Sequence, residues 1–204
     1  MLREPGAPLS TAERGYAISL ALTSLTSSTR NVLDEPGAEV LATDLPAPSE
    51  RDGRRRAQVS AYDYRDDRLH QFLVDLPTGT VIAEESLTGI QPPPSVAETQ
   101  VALDLALTAM PAPAFVDQFR ELTGLPLLTG DEVRVIGGAW TPHSHDGTAP
   151  DPPSSGAAGA CGTERCVQLL VALPSGQYLS TEDLVVNLSR RTVTLLPTGA
   201  QSRG

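Results

Sequence analysis

Two histidines and two cysteines stand close together in the second half of the chain, as His143-Ser144-His145 followed by Cys161 and Cys166. The pattern His-x-His-x15-Cys-x4-Cys offers four donors of the kind that hold a tetrahedral zinc or a thiolate-rich copper. Alternate residues of a strand point to one face, so His143 and His145 can share a metal if one strand carries both. Other readings stay open. Asp146, Gly147 and the Pro-rich run behind them have the composition of a loop, where histidine is often idle. Neither spacing is a standard zinc-ribbon spacing. Cys161 and Cys166 can instead close a disulfide, as they would in an oxidising compartment, or remain thiols with Cys166 packed in a strand. Cys161 with His143 as its base is a nucleophilic pair by residue type alone. The carboxylate pairs Asp66-Asp67 and Glu84-Glu85 occupy turns or strand ends, which is a solvated setting. Tyr62 and Tyr64 share a strand face, where packing accounts for them better than ligand stacking. No catalytic and no organic-cofactor-binding residue is assigned, and zinc or copper is the cofactor this set admits.

Composition removes several classes of function. The net charge is −10, and all fifteen basic residues are arginine. Without lysine there is no Schiff base, no P-loop and no lysine general base. The charge divides evenly: 14 acidic residues against 9 arginines up to Pro92, then 11 against 6, or −5 in each part. The one basic run, Arg54-Arg55-Arg56, reads as a solvated loop beside Asp52 and Gly53. Nucleic acid is therefore not an expected partner. No apolar run reaches membrane-spanning length and Met1-Leu2-Arg3-Glu4-Pro5 has no secretory pattern. As given, the chain reads as cytoplasmic, or as exported if an N-terminal signal has been removed or omitted.

The elements that must position these residues come in two copies. Ser10-Thr11-Ala12-Glu13, followed by Ala17, Leu20, Ala21, Leu22 and Thr23, recurs 85 positions later as Ser95-Val96-Ala97-Glu98 with Ala102, Leu105, Ala106, Leu107 and Thr108. Gly37-Ala38-Glu39-Val40 recurs 93 positions later as Gly130-Asp131-Glu132-Val133. Val74-Asp75-Leu76 recurs 112 positions later as Val186-Asn187-Leu188, with Thr80-Val81 matched by Thr192-Val193. An offset that only rises marks a duplication with insertions in the second copy. The last increase, 19 residues, falls on the Pro/Gly/Ser/His-rich insertion at about 141–160. The expected units are 1–91 and 92–204.

Each unit opens on a helix with a capping box, Ser10 with Glu13 and Ser95 with Glu98. Tyr16, Ala17, Leu20 and Ala21, like Val101, Ala102, Leu105 and Ala106, form the apolar stripe behind it. Phe115, Val116, Phe119 and Leu122 predict a second helix in unit 2, stopped by Gly124 and Pro126. Strands follow: 58–64 and 70–76 as a hairpin, a turn at Pro77-Thr78-Gly79, and a strand from Val81. In unit 2 the corresponding strands are 166–173, 184–188 and 192–196. The fold class is α+β, with two units that each pack a helix on an antiparallel sheet.

This series of elements resembles a family. A capped helix, a hairpin ending in Phe72-Leu73-Val74-Asp75-Leu76-Pro77-Thr78-Gly79-Thr80-Val81, then Gly89-Ile90-Gln91-Pro92-Pro93 and another capped helix is similar to the tandem N-terminal domains of copper amine oxidases. Stand-alone bacterial relatives of those domains often carry a twin-arginine signal. The resemblance implies two tandem cystatin-like units. The family's catalysis resides in a large C-terminal β-sandwich domain with no counterpart in these residues, and its quinone forms from the tyrosine of an Asn-Tyr-Asp/Glu motif. Here Asn31 precedes Val32 and Asn187 precedes Leu188, so that motif is absent. The family also holds copper with a His-x-His pair and a third histidine, but the only third histidine is His70, upstream in the other unit. The expectation is a non-catalytic interaction or accessory module whose partner is a protein such as an oxidase or biosynthetic enzyme. The alternatives are a small-molecule binder or biosynthetic enzyme with a pocket between helix and sheet, and a metal carrier using His143, His145, Cys161 and Cys166.

Overall fold

A computed structural model of the chain describes residues 4–25, 28–142 and 157–196. The chain divides into two compact units, Met1–Ile90 and Gln91–Gly204. Among the described residues it is α+β, with three α-helices and two four-stranded antiparallel sheets.

Unit 1 runs α1 (Thr11–Ser24), β1 (Glu39–Asp44), β2 (Arg56–Asp63), β3 (Arg68–Asp75) and β4 (Thr80–Thr88), with the strands in sequence order across the sheet. Alternation along β2 and β3 builds the inner face. Ala57, Val59 and Ala61 point the same way as Phe72 and Val74, with Ala57 opposite Val74 and Val59 opposite Phe72. Helix α1 meets this face with Ala17 and Ala21, both fully buried, whose small side chains let the helix settle close to the sheet. Unit 2 repeats the plan with α2 (Val96–Leu107), β5 (Arg134–Ala139), β6 (Cys166–Ala172), β7 (Leu184–Asn187) and β8 (Thr192–Leu195), and adds α3 (Ala114–Thr123). Gly124, at φ 73°, closes α3 by donating its N–H to Arg120 O, a left-handed conformation that favours glycine.

The interior of each unit is tied by a buried arginine. In unit 1 Ser10 Oγ accepts from Glu13 N–H at 3.2 Å while Glu13 Oε2 accepts from Ser10 N–H at 2.8 Å, the predicted capping box. The same carboxylate is gripped by both arms of Arg55, Nε to Oε1 and Nη2 to Oε2, each at 2.9 Å. Arg55 also donates to the carbonyls of Glu4, Pro5, Ala7 and Pro8, which lead into the helix. In unit 2 Arg165 holds Glu98 in the same bidentate way at 2.9 Å, and donates to Pro92 O, Pro93 O and Gln91 Oε1. Backbone bonds extend the tie to the end of the third strand: Leu76 N–H to Arg55 O at 3.1 Å and Leu188 N–H to Arg165 O at 2.8 Å.

This corrects the expectation that Arg54-Arg55-Arg56 lies in a solvated loop. The side chain of Arg54 is 66% exposed, but that of Arg55 is 3% exposed, and Arg56 begins β2. Apposition to a buried carboxylate and a row of carbonyls draws one of three adjacent arginines inward. The strands β1 and β5 also went unpredicted. Glycines in Arg134-Val135-Ile136-Gly137-Gly138-Ala139, and a bulge between Val40 and Ala42, blur the alternation that marks a strand.

Two outcomes are expected. Arg165→Met leaves the fully buried Glu98 without its counter-charge and should cost about 3–5 kcal/mol in urea unfolding, with Arg165→Met/Glu98→Leu recovering part of it; a loss below ~1 kcal/mol would refute the role. The second concerns Asp75. The Thr78 backbone N–H and then its hydroxyl hold the Asp75 carboxyl below its ordinary value; burial opposes them, and Arg54 and Arg56 add to them. A carboxyl lowered in the folded state stabilises above its unfolded value, near ~3.9, and that contribution fades as pH falls through the folded value. In unit 2 Asn187 takes this place, its Oδ1 accepting from Arg190 N–H at 2.9 Å. Asp75→Asn should therefore fold, and its melting temperature should depend less on pH below about 4 than that of the natural chain. Equal slopes would contradict this.

Candidate functional site

The outer face of the unit 2 sheet, away from α2, is where the second copy carries side chains with no counterpart in the first. Cys161 and Cys166 are joined there by a disulfide, with Cα atoms 5.4 Å apart. The bridge is buried with Val185 and packs against Trp140 and Leu196, a second small apolar cluster on the side of β6 opposite the main core. Within the loop it closes, Glu164 is clamped by Arg190 at 2.6–2.8 Å and by Asn187 Nδ2 at 2.7 Å. Burial raises the Glu164 carboxyl, but the hydrogen bonds from Arg190 and Asn187 outweigh it and hold the group below its ordinary value. Glu164 is thus a fixed anion that braces the loop.

The sequence-derived site residues divide as follows. Cys161 and Cys166 come together, but with each other. His143 and His145 lie outside the described residues. A disulfide sulfur is not a thiolate donor, so the structure does not present the His143/His145/Cys161/Cys166 donor set, and among the described residues no three His, Cys, Asp or Glu side chains converge as metal ligands. For the same reason Cys161 is not a nucleophile here. Among the described residues the single histidine is His70, in β3 of unit 1; it stacks on Phe72, with Nδ1 3.6 Å from Glu84 Oε1. Tyr62 and Tyr64 pack edge to face with centroids 5.1 Å apart, and the Tyr62 hydroxyl donates to Asp67. Glu84 and Glu85 lie on the exposed strand β4.

Beside the disulfide cluster the outer face opens into a groove of about 460 Å³. Ile136, Gly138, Leu170 and Tyr178 line its apolar part, and Gln168 and Glu182 its polar part, joined by a bond from Gln168 Nε2 to Glu182 O. Nothing in this wall pairs an acid with a base. Sequence reasoning missed two sets of residues. One is Ile136, Leu170 and Tyr178, which give no motif. The other is Arg55 and Arg165, which do leave a signal: Arg55-x-Ala57-Gln58-Val59 recurs 110 positions later as Arg165-x-Val167-Gln168-Leu169.

Comparison with known proteins yields one kind of likeness. No family model matches the chain, and no curated protein matches it. Among solved structures, a copper-containing benzylamine oxidase from Hansenula polymorpha is similar with a TM-score of 0.51 and 14% identity, over 96% of this chain and 30% of that enzyme. The chain thus spans under a third of the enzyme's length, and at this identity the likeness concerns the fold.

Trp140 is the only tryptophan and packs against the bridge. Reduction, or paired Cys161→Ser/Cys166→Ser substitution, should lower stability by about 2 kcal/mol by freeing a loop this short. It should also raise Trp140 emission as the neighbouring disulfide quencher is removed. Unchanged emission would place Trp140 away from the bridge.

Proposed function

We propose that the chain is a non-catalytic counterpart of copper amine oxidase N-terminal domains, built of two tandem cystatin-like units, that serves as an interaction or accessory module for a protein partner. The observation that carries this reading is the deployment of buried charge. Glu13, Arg55, Glu98 and Arg165 join helix to sheet, Asp63 accepts the N–H groups of Arg30 and Arg65, and Asp75 holds the Thr78 turn. Groups so committed serve the packing they hold, and moving them toward a substrate would break it.

The fold likeness to benzylamine oxidase supports the reading, since nearly all of this chain aligns with a part of that larger enzyme. The residues do not fit the enzyme class's copper–quinone chemistry. Neither asparagine precedes a tyrosine, and His70 stands without histidine neighbours among the described residues. The Cys161–Cys166 bridge supports export, because disulfides persist in oxidising compartments. The partner class that fits is an oxidase or biosynthetic enzyme met in that compartment.

The test has two arms. The purified chain, supplied with copper and benzylamine, should release no peroxide and show no quinone staining. In-cell cross-linking should recover it with one stoichiometric protein partner. Amine-dependent peroxide release by the chain alone, or recovery without a stoichiometric partner, would overturn the reading.

A further inference from the structure

The two sheets treat their first edge differently. In unit 1 the edge strand β1 is guarded. It is bulged between Val40 and Ala42, carries Glu39 and Asp44 at its two ends, and is bridged to α1 by Arg14–Asp44 at 3.8 Å. Bulges and charges are the usual devices that stop an edge from recruiting another strand. In unit 2 the equivalent strand β5 has none of these in its middle. Its register with β6 runs unbroken from Arg134↔Ala172 to Ala139↔Val167, its single charge is Arg134, and Ile136 at its centre is 65% exposed.

The direction of the free backbone groups follows from the ladder. Trp140 N–H donates to Cys166 O at 3.0 Å, which makes Trp140 and Cys166 a hydrogen-bonded pair continuing the β5–β6 register. Such pairs alternate along an antiparallel ladder, so Arg134, Ile136 and Gly138 turn their N–H and C=O groups toward β6. Val135, Gly137 and Ala139 turn theirs outward, and none of the three has a backbone hydrogen-bond partner on that side among the described residues.

We propose that β5 pairs antiparallel with β5 of a second copy of this chain, about a two-fold axis at Ile136. Outward groups meet outward groups only in registers that place Val135, Gly137 and Ala139 opposite one another. With Ile136 opposite its own copy, Val135 faces Gly137 and Gly137 faces Val135, and each pair exchanges two hydrogen bonds. On the outer face the two Ile136 side chains meet in a non-hydrogen-bonded pair, the position of closest side-chain approach. Arg134 falls opposite Gly138, so like charges do not oppose each other. On the inner face the large Val135 faces a residue with no side chain. Gly137 is required there by its own fold, since a Cβ would lie 2.5 Å from Thr99 Oγ1 and 2.8 Å from Pro94 Cγ. A groove of about 270 Å³ beside it, lined by Pro94, Val96, Thr99 and Val135, is the space the partner's Val135 enters. The contact is isologous and closed, as a two-fold dimer demands, and joins two four-stranded sheets into one. It stands independently of the accessory role proposed above.

Sedimentation velocity of the full chain, from micromolar to near-millimolar concentration, tests it. The natural chain should dimerise. Ile136→Lys and Ile136→Glu, each placing like charges face to face at the axis, should weaken self-association by at least about tenfold. An equimolar mixture of the two variants should recover the dimer, because opposite charges then meet. Amide exchange at Val135 and Gly137 should slow in the dimer alone. Should a charged variant fail to fold, Val135→Pro removes one outward N–H per chain and leaves the bonds to β6 intact, so it makes the same test. A monomeric natural chain overturns the proposal. So does a dimer that Ile136→Lys leaves intact, or a variant mixture that stays monomeric.

Discussion

A guanidinium held between a carboxylate and a row of peptide carbonyls organises each half of this protein. Arg55 and Arg165 sit where the segment leading into the helix, the first turn of the helix and the start of the second strand meet. The lead-in segments are rich in proline: Pro5 and Pro8 in one copy, Pro92, Pro93 and Pro94 in the other. Proline carries a carbonyl and no N–H, so its backbone can only accept hydrogen bonds, and arginine, with five donors and no acceptor, is the chemical complement of such a carbonyl-rich segment. The carboxylate of Glu13 or Glu98 closes the set by taking two of those donors while capping the helix. A buried charge pair gains little over apolar packing in free energy. What this one supplies is geometry, because the planar fork fixes where the helix begins relative to the sheet.

The same tie explains how the copies could diverge without losing their shared plan. The box, the buried arginine, the carbonyl row and the backbone bond to the third strand persist in both, although the helices, strands and loops between them differ in length. In unit 2 the strands β7 and β8 have four residues each, against eight and nine for β3 and β4. The shorter strands leave less sheet to cover, and the disulfide, Trp140 and Leu196 form a compensating outer cluster around Cys166 and Val185. Cross-linking is what a small sheet with a reduced apolar face would be expected to use.

Much of this architecture was readable from residue order. The capping boxes, the α3 stop at Gly124 and the hairpin strands follow from local rules, and the structure contains each; of the apolar stripes it buries Ala17, Ala21, Val101, Ala102 and Ala106 but leaves Tyr16 exposed and buries Leu103 instead. Ser10 with Glu13 and Ser95 with Glu98 signalled the helix starts because the interaction spans three residues. Arg55 escaped because its partners lie 42 and more positions away, and a run of three arginines reads as solvent-facing until the fold supplies a carboxylate for one of them. The strands β1 and β5 escaped for a related reason. An edge strand needs only one strong neighbour, so its sequence tolerates a bulge or paired glycines that erase the period-two signal. The His143, His145, Cys161, Cys166 pattern shows the limit of residue types as a guide to chemistry. The same two sulfurs serve a metal or a disulfide, and in this fold they are bonded to each other, across a Cα separation of 5.4 Å that a disulfide can span.

If the interior is fixed by the two latches, divergence of function between the copies must fall on surfaces. Each unit has an outer sheet face and a first-strand edge. In unit 1 the edge is bulged and acidic, and Tyr62, Leu69 and Val32 are buried away from the main core. In unit 2 the edge is smooth and nearly uncharged, and Ile136, Leu170 and Tyr178 remain exposed beside it. Duplication produced two equivalent edges, and two active edges on one chain would allow open-ended strand addition and fibres. The bulge and end charges of β1 guard one of these two equivalent edges, while β4 and β8 form the opposite edges of the two sheets. The contrast therefore falls on the equivalent edge of each unit, interrupted by a bulge and flanked by two acidic residues in β1, and continuous with one terminal arginine in β5.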